Sequence, residues 1–183
     1  RDGPRWPHHA ASRFVDAGGC RWHVQVHPGP VGAPVLWLLH GTGAASHSWR
    51  ALVPLLAPHA TLVVPDLPGH GFSGRLAHTS MASMAQALAA LADVLGLPPT
   101  VLAGHSAGAA LAVRAVLDGR LAPHRLVVVN AGTLTGRPLE VLAGNHTIQA
   151  ARKIGMTEIA VSVIDVDEET AARIVAGDNR LGD

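Results

Sequence analysis

Apolar residues in the first two thirds of the chain come in short continuous runs, separated by turns and by stretches with helical spacing. Val35-Leu36-Trp37-Leu38-Leu39 runs straight into His40-Gly41, the pattern of a strand buried on both faces. Similar runs predict strands over 61–66, 100–104 and 125–130. Between them, helical patterns cover 48–56, stopping near Pro58, and 107–117, closed by Gly119. Ser80 or Ser83 can N-cap an Ala/Leu-rich helix that ends at Gly96, with Pro98 and Pro99 beyond it. Strand and helix alternate, which predicts an α/β fold with a parallel sheet and helices on both faces. Beyond residue 136 the pattern predicts a short βαβα tail, with strands over 139–142 and 159–164 and helices over 147–154 and 168–176.

Composition divides the chain at the same place. Residues 1–136 contain no Lys and no Glu; Lys153 and all four Glu (Glu140, Glu158, Glu168, Glu169) lie after it. All four Trp and every His except His146 lie before it. Nine Arg stand against five Asp before the divide, and five basic against eight acidic residues after it. Two segments of different origin, 1–136 and 137–183, account for this; a single domain with local fluctuation is the alternative.

The remaining composition narrows the classes of function. Apolar residues make up 48% and charged residues 15% of the 183 residues, enough for a packed core. The formal charge of +1 and the lack of a basic stripe with interleaved aromatics argue against nucleic-acid binding. Cys20 is the sole cysteine and has no internal disulfide partner, which suits a reducing compartment. The first ten residues have no apolar run, and the stretch 81–97 contains Gln86 and Asp93 and is too short to span a bilayer. These features predict a cytoplasmic protein without a membrane span. The histidines show no HExxH spacing and no cysteine partner, so neither a metal nor a cofactor is expected.

The chemistry centres on Gly104-His105-Ser106-Ala107-Gly108, a G-x-S-x-G motif between a predicted strand and a predicted helix. The glycines leave room for a tight strand-to-helix turn, and Ser106 stands at a helix N-terminus where backbone amides face a developing oxyanion. His40-Gly41-Thr42-Gly43 ends the Trp37 strand, so the amides of Thr42 and Ala107 are the expected oxyanion donors. Pro65-Asp66-Leu67-Pro68-Gly69-His70-Gly71-Phe72-Ser73 follows the second strand, at the same edge of the sheet. Asp66 and His70 read as loop-shaping residues, because a triad histidine in such a fold follows the nucleophile in chain order.

These three ordered motifs resemble the signatures of the α/β-hydrolase superfamily. Closer still is the resemblance of 11–19, 21–26, 40–50, 104–110 and Asn130-Ala131-Gly132 to the magnesium-chelatase accessory proteins of bacteriochlorophyll biosynthesis. The resemblance implies a serine nucleophile acting on a small-molecule ester, or a partner in the tetrapyrrole pathway. It also implies an acid and a C-terminal histidine after the fourth strand. His146, Asp165 and Asp167 are the nearest counterparts, but the order Ser106, His146, Asp165 is wrong for the family. The core is therefore expected to be incomplete and its hydrolysis impaired, since a serine hydroxyl without a base is a poor nucleophile. An exposed edge where further strands belong would favour homo-oligomers.

The tail carries its own resemblance, to part of a ParB-like nuclease domain, along 139–159 and again from Asp165 to Arg180. That likeness implies a nucleotide site at Gly144, Asn145, His146 and Thr147, where a helix N-terminus meets phosphate, with Asn179 in a later motif. Packing filler on the sheet edge is the alternative. Three readings thus stand side by side: a serine hydrolase-type enzyme, a nucleotide-binding or DNA-partition-related module on an inert scaffold, and a non-functional fusion or fragment.

Overall fold

A computed structural model of the chain describes residues 5–129. Six strands form one sheet: β1 (Ser12–Ala17), β2 (Cys20–His27), β3 (Val35–Leu39), β4 (Thr61–Pro65), β5 (Val101–His105) and β6 (Arg125–Val129). Their order is β1-β2-β4-β3-β5-β6. The four strands read from apolar runs pair in parallel, while β1 and β2 add an antiparallel pair at one edge. The architecture is the α/β fold expected, with a mixed sheet.

The N-terminal hairpin turns on Gly18 and Gly19, whose φ angles of +57° and +77° suit a two-residue turn joining Ala17 to Cys20. It escaped the reading of apolar runs because β2 is covered on both faces yet interleaves polar side chains. His23 and Gln25 are buried alongside Trp22 and Val24.

Helices lie on both faces. On one, α2 (Met81–Leu95) and α3 (Ala107–Leu117) bury Leu88, Leu91, Leu111 and Val113 against Trp22, Trp37, Leu39 and Leu102. Each such aliphatic side chain contributes about 1.5–3 kcal/mol when taken from water. Both buried indoles are satisfied: Trp22 Nε1 donates to Ala17 O at 3.0 Å and Trp37 Nε1 to Leu97 O at 2.9 Å. Helix α2 starts with a capping box in which Ser80 and Ser83 each bond the other's backbone N–H, so both candidate caps are used. Gly96 closes it in the left-handed conformation (φ +64°).

The opposite face packs Leu38, Leu62, Val64 and Ala103 under Val53 and Leu56. The helix expected over 48–56 is here a 3-10 turn, Ser46–Trp49, followed by the single turn α1 (Val53–Leu56). Pro54 has no N–H to return to the Arg50 carbonyl, so a continuous helix breaks and restarts with Pro54 in its first turn. From β3 the chain steps sideways to β4, then returns past β3 to β5. The carboxyl ends of β3 and β5 are thus neighbours at a switch point, with Leu39 beside Gly104. Open α/β sheets place ligands at such points.

Candidate active site

Ser106 joins β5 to α3 with φ +52° and ψ −119°, a strained conformation for a residue with a side chain. Its amide donates to Val129 O at 2.9 Å, and its carbonyl accepts from Ala109 N at 2.9 Å. The elbow can be this tight only because its flanks lack side chains. A Cβ on Gly104 would lie 2.5 Å from Ala109 N, and one on Gly108 would lie 2.5 Å from His40 O. Gly41 closes the third side, where a Cβ would meet Ser106 Cβ at 3.0 Å and His105 Nδ1 at 3.1 Å.

Thr42 follows Gly41 in an exposed turn, and Ala107 is the first residue of α3, directly after Ser106. Among the described residues no group accepts a hydrogen bond from either amide, and none hydrogen-bonds the Ser106 hydroxyl. Ala107 adjoins Ser106 in the chain, and Thr42 follows Gly41, on which a Cβ would lie 3.0 Å from Ser106 Cβ. No described histidine stands as its base.

The loops beside the elbow are held by buried polar groups. His40 is fully buried: Leu67 N–H donates to its Nε2 at 2.9 Å, which leaves the ring proton on Nδ1 to donate to Gly41 O at 2.8 Å. Burial holds its pKa below the ordinary histidine value, so the ring is neutral. Asp66, also fully buried, accepts Ser46 N–H at Oδ1 (2.7 Å), and Phe72 N–H (2.9 Å) and His23 Nδ1–H (2.7 Å) at Oδ2. Burial acts to raise the carboxyl pKa, but the bonds from His23, Ser46 and Phe72 outweigh it and leave the pKa below its usual value. Ser73 adds a further link, donating to Asp66 O at 2.6 Å and accepting His23 N–H at 2.8 Å. Asp66 is thus consumed in holding loops. His70 contacts the His40 ring, 5.3 Å between centroids.

Sequence reasoning did not find His23, Gln25, Ser46 or Trp6 in this scaffold. Trp6 Nε1 donates to Ser46 Oγ at 3.0 Å and packs edge-on to Phe72 and His47, while Gln25 Nε2 donates to Pro7 O at 2.6 Å. The available signal was the Gly18-Gly19 turn, which marks the β1–β2 hairpin; β2, and with it His23, then pairs alongside β4. Cys20 is buried, and burial raises its thiol pKa. Among the described residues, no group of three or more His, Cys, Asp or Glu is placed to hold a metal ion. No described helix is long and apolar enough to cross a membrane. Gly144, Asn145, His146, Thr147 and Asn179, the expected nucleotide site, lie outside the described residues, as do Asp165 and Asp167.

Residues 34–154 match the model of the alpha/beta hydrolase fold family, a span that runs past the divide in composition at 136. The chain is 40% identical over 128 residues to the magnesium-chelatase 30 kDa subunit of Rhodobacter capsulatus, covering 69% of this chain and 44% of that protein. It is 34% identical over 124 residues to a 2-hydroxy-6-oxo-2,4-heptadienoate hydrolase of Pseudomonas putida, covering 65% of this chain and 44% of the relative. Among solved structures, N-formylmaleamic acid deformylase from Pseudomonas putida aligns with a TM-score of 0.61 at 28% identity, covering 72% of this chain and 52% of that one. The chain thus spans less than half the length of these two curated relatives.

Proposed function

Because this chain belongs to the α/β-hydrolase fold family, we propose that Ser106 is the nucleophile of an acyl-transfer site whose oxyanion donors are the Thr42 and Ala107 amides. The observation that carries the reading is the backbone of Ser106: a non-glycine residue at φ +52°, wedged between two glycines that admit no Cβ. Such strain persists where presentation of the side chain repays it. In the step proposed, Ser106 Oγ bonds to the carbonyl carbon of an ester and the carbonyl oxygen becomes an oxyanion facing the two amides. The C–O bond to the leaving alcohol then breaks, and the alcohol leaves with the hydroxyl proton.

Residues 5–129 supply the nucleophile and the oxyanion side but no base in contact with Ser106. An unassisted hydroxyl reacts with activated esters and turns over slowly, so impaired hydrolysis is part of the proposal. The identity to a magnesium-chelatase subunit supports an accessory role beside magnesium insertion into a tetrapyrrole, with the fold acting on or holding a pathway intermediate.

Incubation with p-nitrophenyl acetate followed by mass spectrometry tests the nucleophile. One acetyl group should appear on the peptide holding Ser106 and be absent from Ser106→Ala. Wild-type protein left unmodified at Ser106 would overturn the reading. For the pathway role, titration of protoporphyrin should show saturable binding by absorbance; a linear, non-saturating response would remove it.

A further inference from the structure

The loop from Gly41 to Ala45 carries Thr42, and little within it fixes its shape. It contains two glycines, Gly41 and Gly43 (φ +71°), and one internal backbone bond, from Ala44 N to Gly41 O at 3.2 Å. Ordering five residues costs about 1–2 kcal/mol each in backbone entropy, so its geometry must be imposed from outside. Three bonds impose it, two at its start and one at its end. At the start, Leu67 N–H donates to His40 Nε2, and His40 Nδ1–H donates to the Gly41 carbonyl, the same oxygen that accepts from Ala44. At the end, Ser46 N–H donates to Asp66 Oδ1 at 2.7 Å.

Both anchors are consecutive residues, Asp66 and Leu67, directly after β4. Asp66 is itself aimed by His23 Nδ1–H and Phe72 N–H on its other oxygen. The pair of anchors is buried, where unmade hydrogen bonds are costly, so each end of the loop has one favoured position.

We infer that Asp66 and His40 are positioning residues for the Thr42 amide: clamped at both ends to the β4 terminus, the loop is held where that amide can serve Ser106. The inference rests on the reading of Ser106 and Thr42 above. Neither residue touches substrate. Their effect falls on the transition state, because a displaced oxyanion donor loses more there than in the bound ester.

Backbone amide exchange tests the anchoring directly. In the wild-type chain, the Ser46 and Leu67 amides should be as protected as those within β4; exchange at loop rates would overturn the inference. Asp66→Asn offers one acceptor oxygen where three N–H groups now converge on two. Ser46→Pro removes the loop's own donor, at a position where a 3-10 turn begins and Ala45 is already extended. In either variant, exchange across 41–46 should rise at least tenfold while α3 stays protected. Saturating activated ester should acylate Ser106 about 10–100-fold more slowly, with the half-saturating concentration within about twofold of wild type. A general structural role would raise exchange in α3 as well. A folded variant with unchanged loop exchange overturns the anchoring. Loop exchange that rises in a protein whose wild type is not acylated at Ser106 leaves the anchoring intact and sinks the nucleophile instead.

Discussion

Gly108 sits so close to His40 that a Cβ on it would lie 2.5 Å from the His40 carbonyl oxygen. The start of α3 is therefore pressed against the end of β3, and the elbow and the loop of Gly41 form one surface. Gly108→Ala should force the helix away, costing roughly 1–3 kcal/mol in urea unfolding and abolishing acetylation of Ser106. A variant with wild-type stability would show that the approach is looser than this.

The strain at Ser106 makes the opposite prediction for a neighbouring change. Ser106→Gly relieves a left-handed φ that costs about 1–3 kcal/mol, less about 0.5–1 kcal/mol for the freer unfolded chain. The variant should be more stable than wild type by roughly 1 kcal/mol, whereas Ser106→Ala keeps the strained backbone and gains nothing from this source. Equal melting temperatures for Ser106→Gly and Ser106→Ala would contradict a strained elbow.

Acid should weaken the fold in two stages. His40 has a depressed pKa in the folded chain, so the unfolded chain binds its proton first. That contribution is complete above the ordinary value of about 6.5 and is lost as pH falls below it. His27, depressed by burial and by His8, acts in the same sense. Asp66 has a depressed carboxyl pKa, so its contribution is present above about 3.9 and is lost as pH falls through the lower folded value. Urea midpoints between pH 7.5 and 3 should fall in both windows. His40→Gln should shrink the upper fall without removing it, and Asp66→Asn should flatten the lower one; unchanged profiles would assign the titration to other groups.

Ser80→Ala removes an exposed cap bond to Ser83 N (3.1 Å) and should cost about 1 kcal/mol. Ser106 acetylation should stay at the wild-type rate, since the cap bonds of Ser80 run to Ser83 and not to the loops around the elbow.

Legibility followed the kind of force at work. Strands β3 to β6 were readable because a strand covered on both faces must be apolar throughout, and α3 because Gly119 closes its helical pattern. The elbow was readable because steric demand leaves glycine no substitute. The hairpin of β1 and β2 was not, because His23 and Gln25 look like solvent-facing residues until Asp66 and Pro7 are seen to satisfy them. Pro54 could have divided the 48–56 stretch, had its missing N–H been counted against Arg50. The role of Asp66 as a hub depends on residues 23, 46 and 72 meeting in space, which no local spacing encodes.

Anyone wishing to transplant the oxyanion side of this site would find that the five-residue loop is not a portable part. Its two fixings belong to Asp66 and Leu67, and Asp66 is aimed from β2. The smallest graft that carries its own geometry therefore combines the middle of β2 with the ends of β3 and β4, drawn from positions 23, 40–46 and 66–73. A scaffold offering only the β3 end would receive the right residues with nothing to hold them in place.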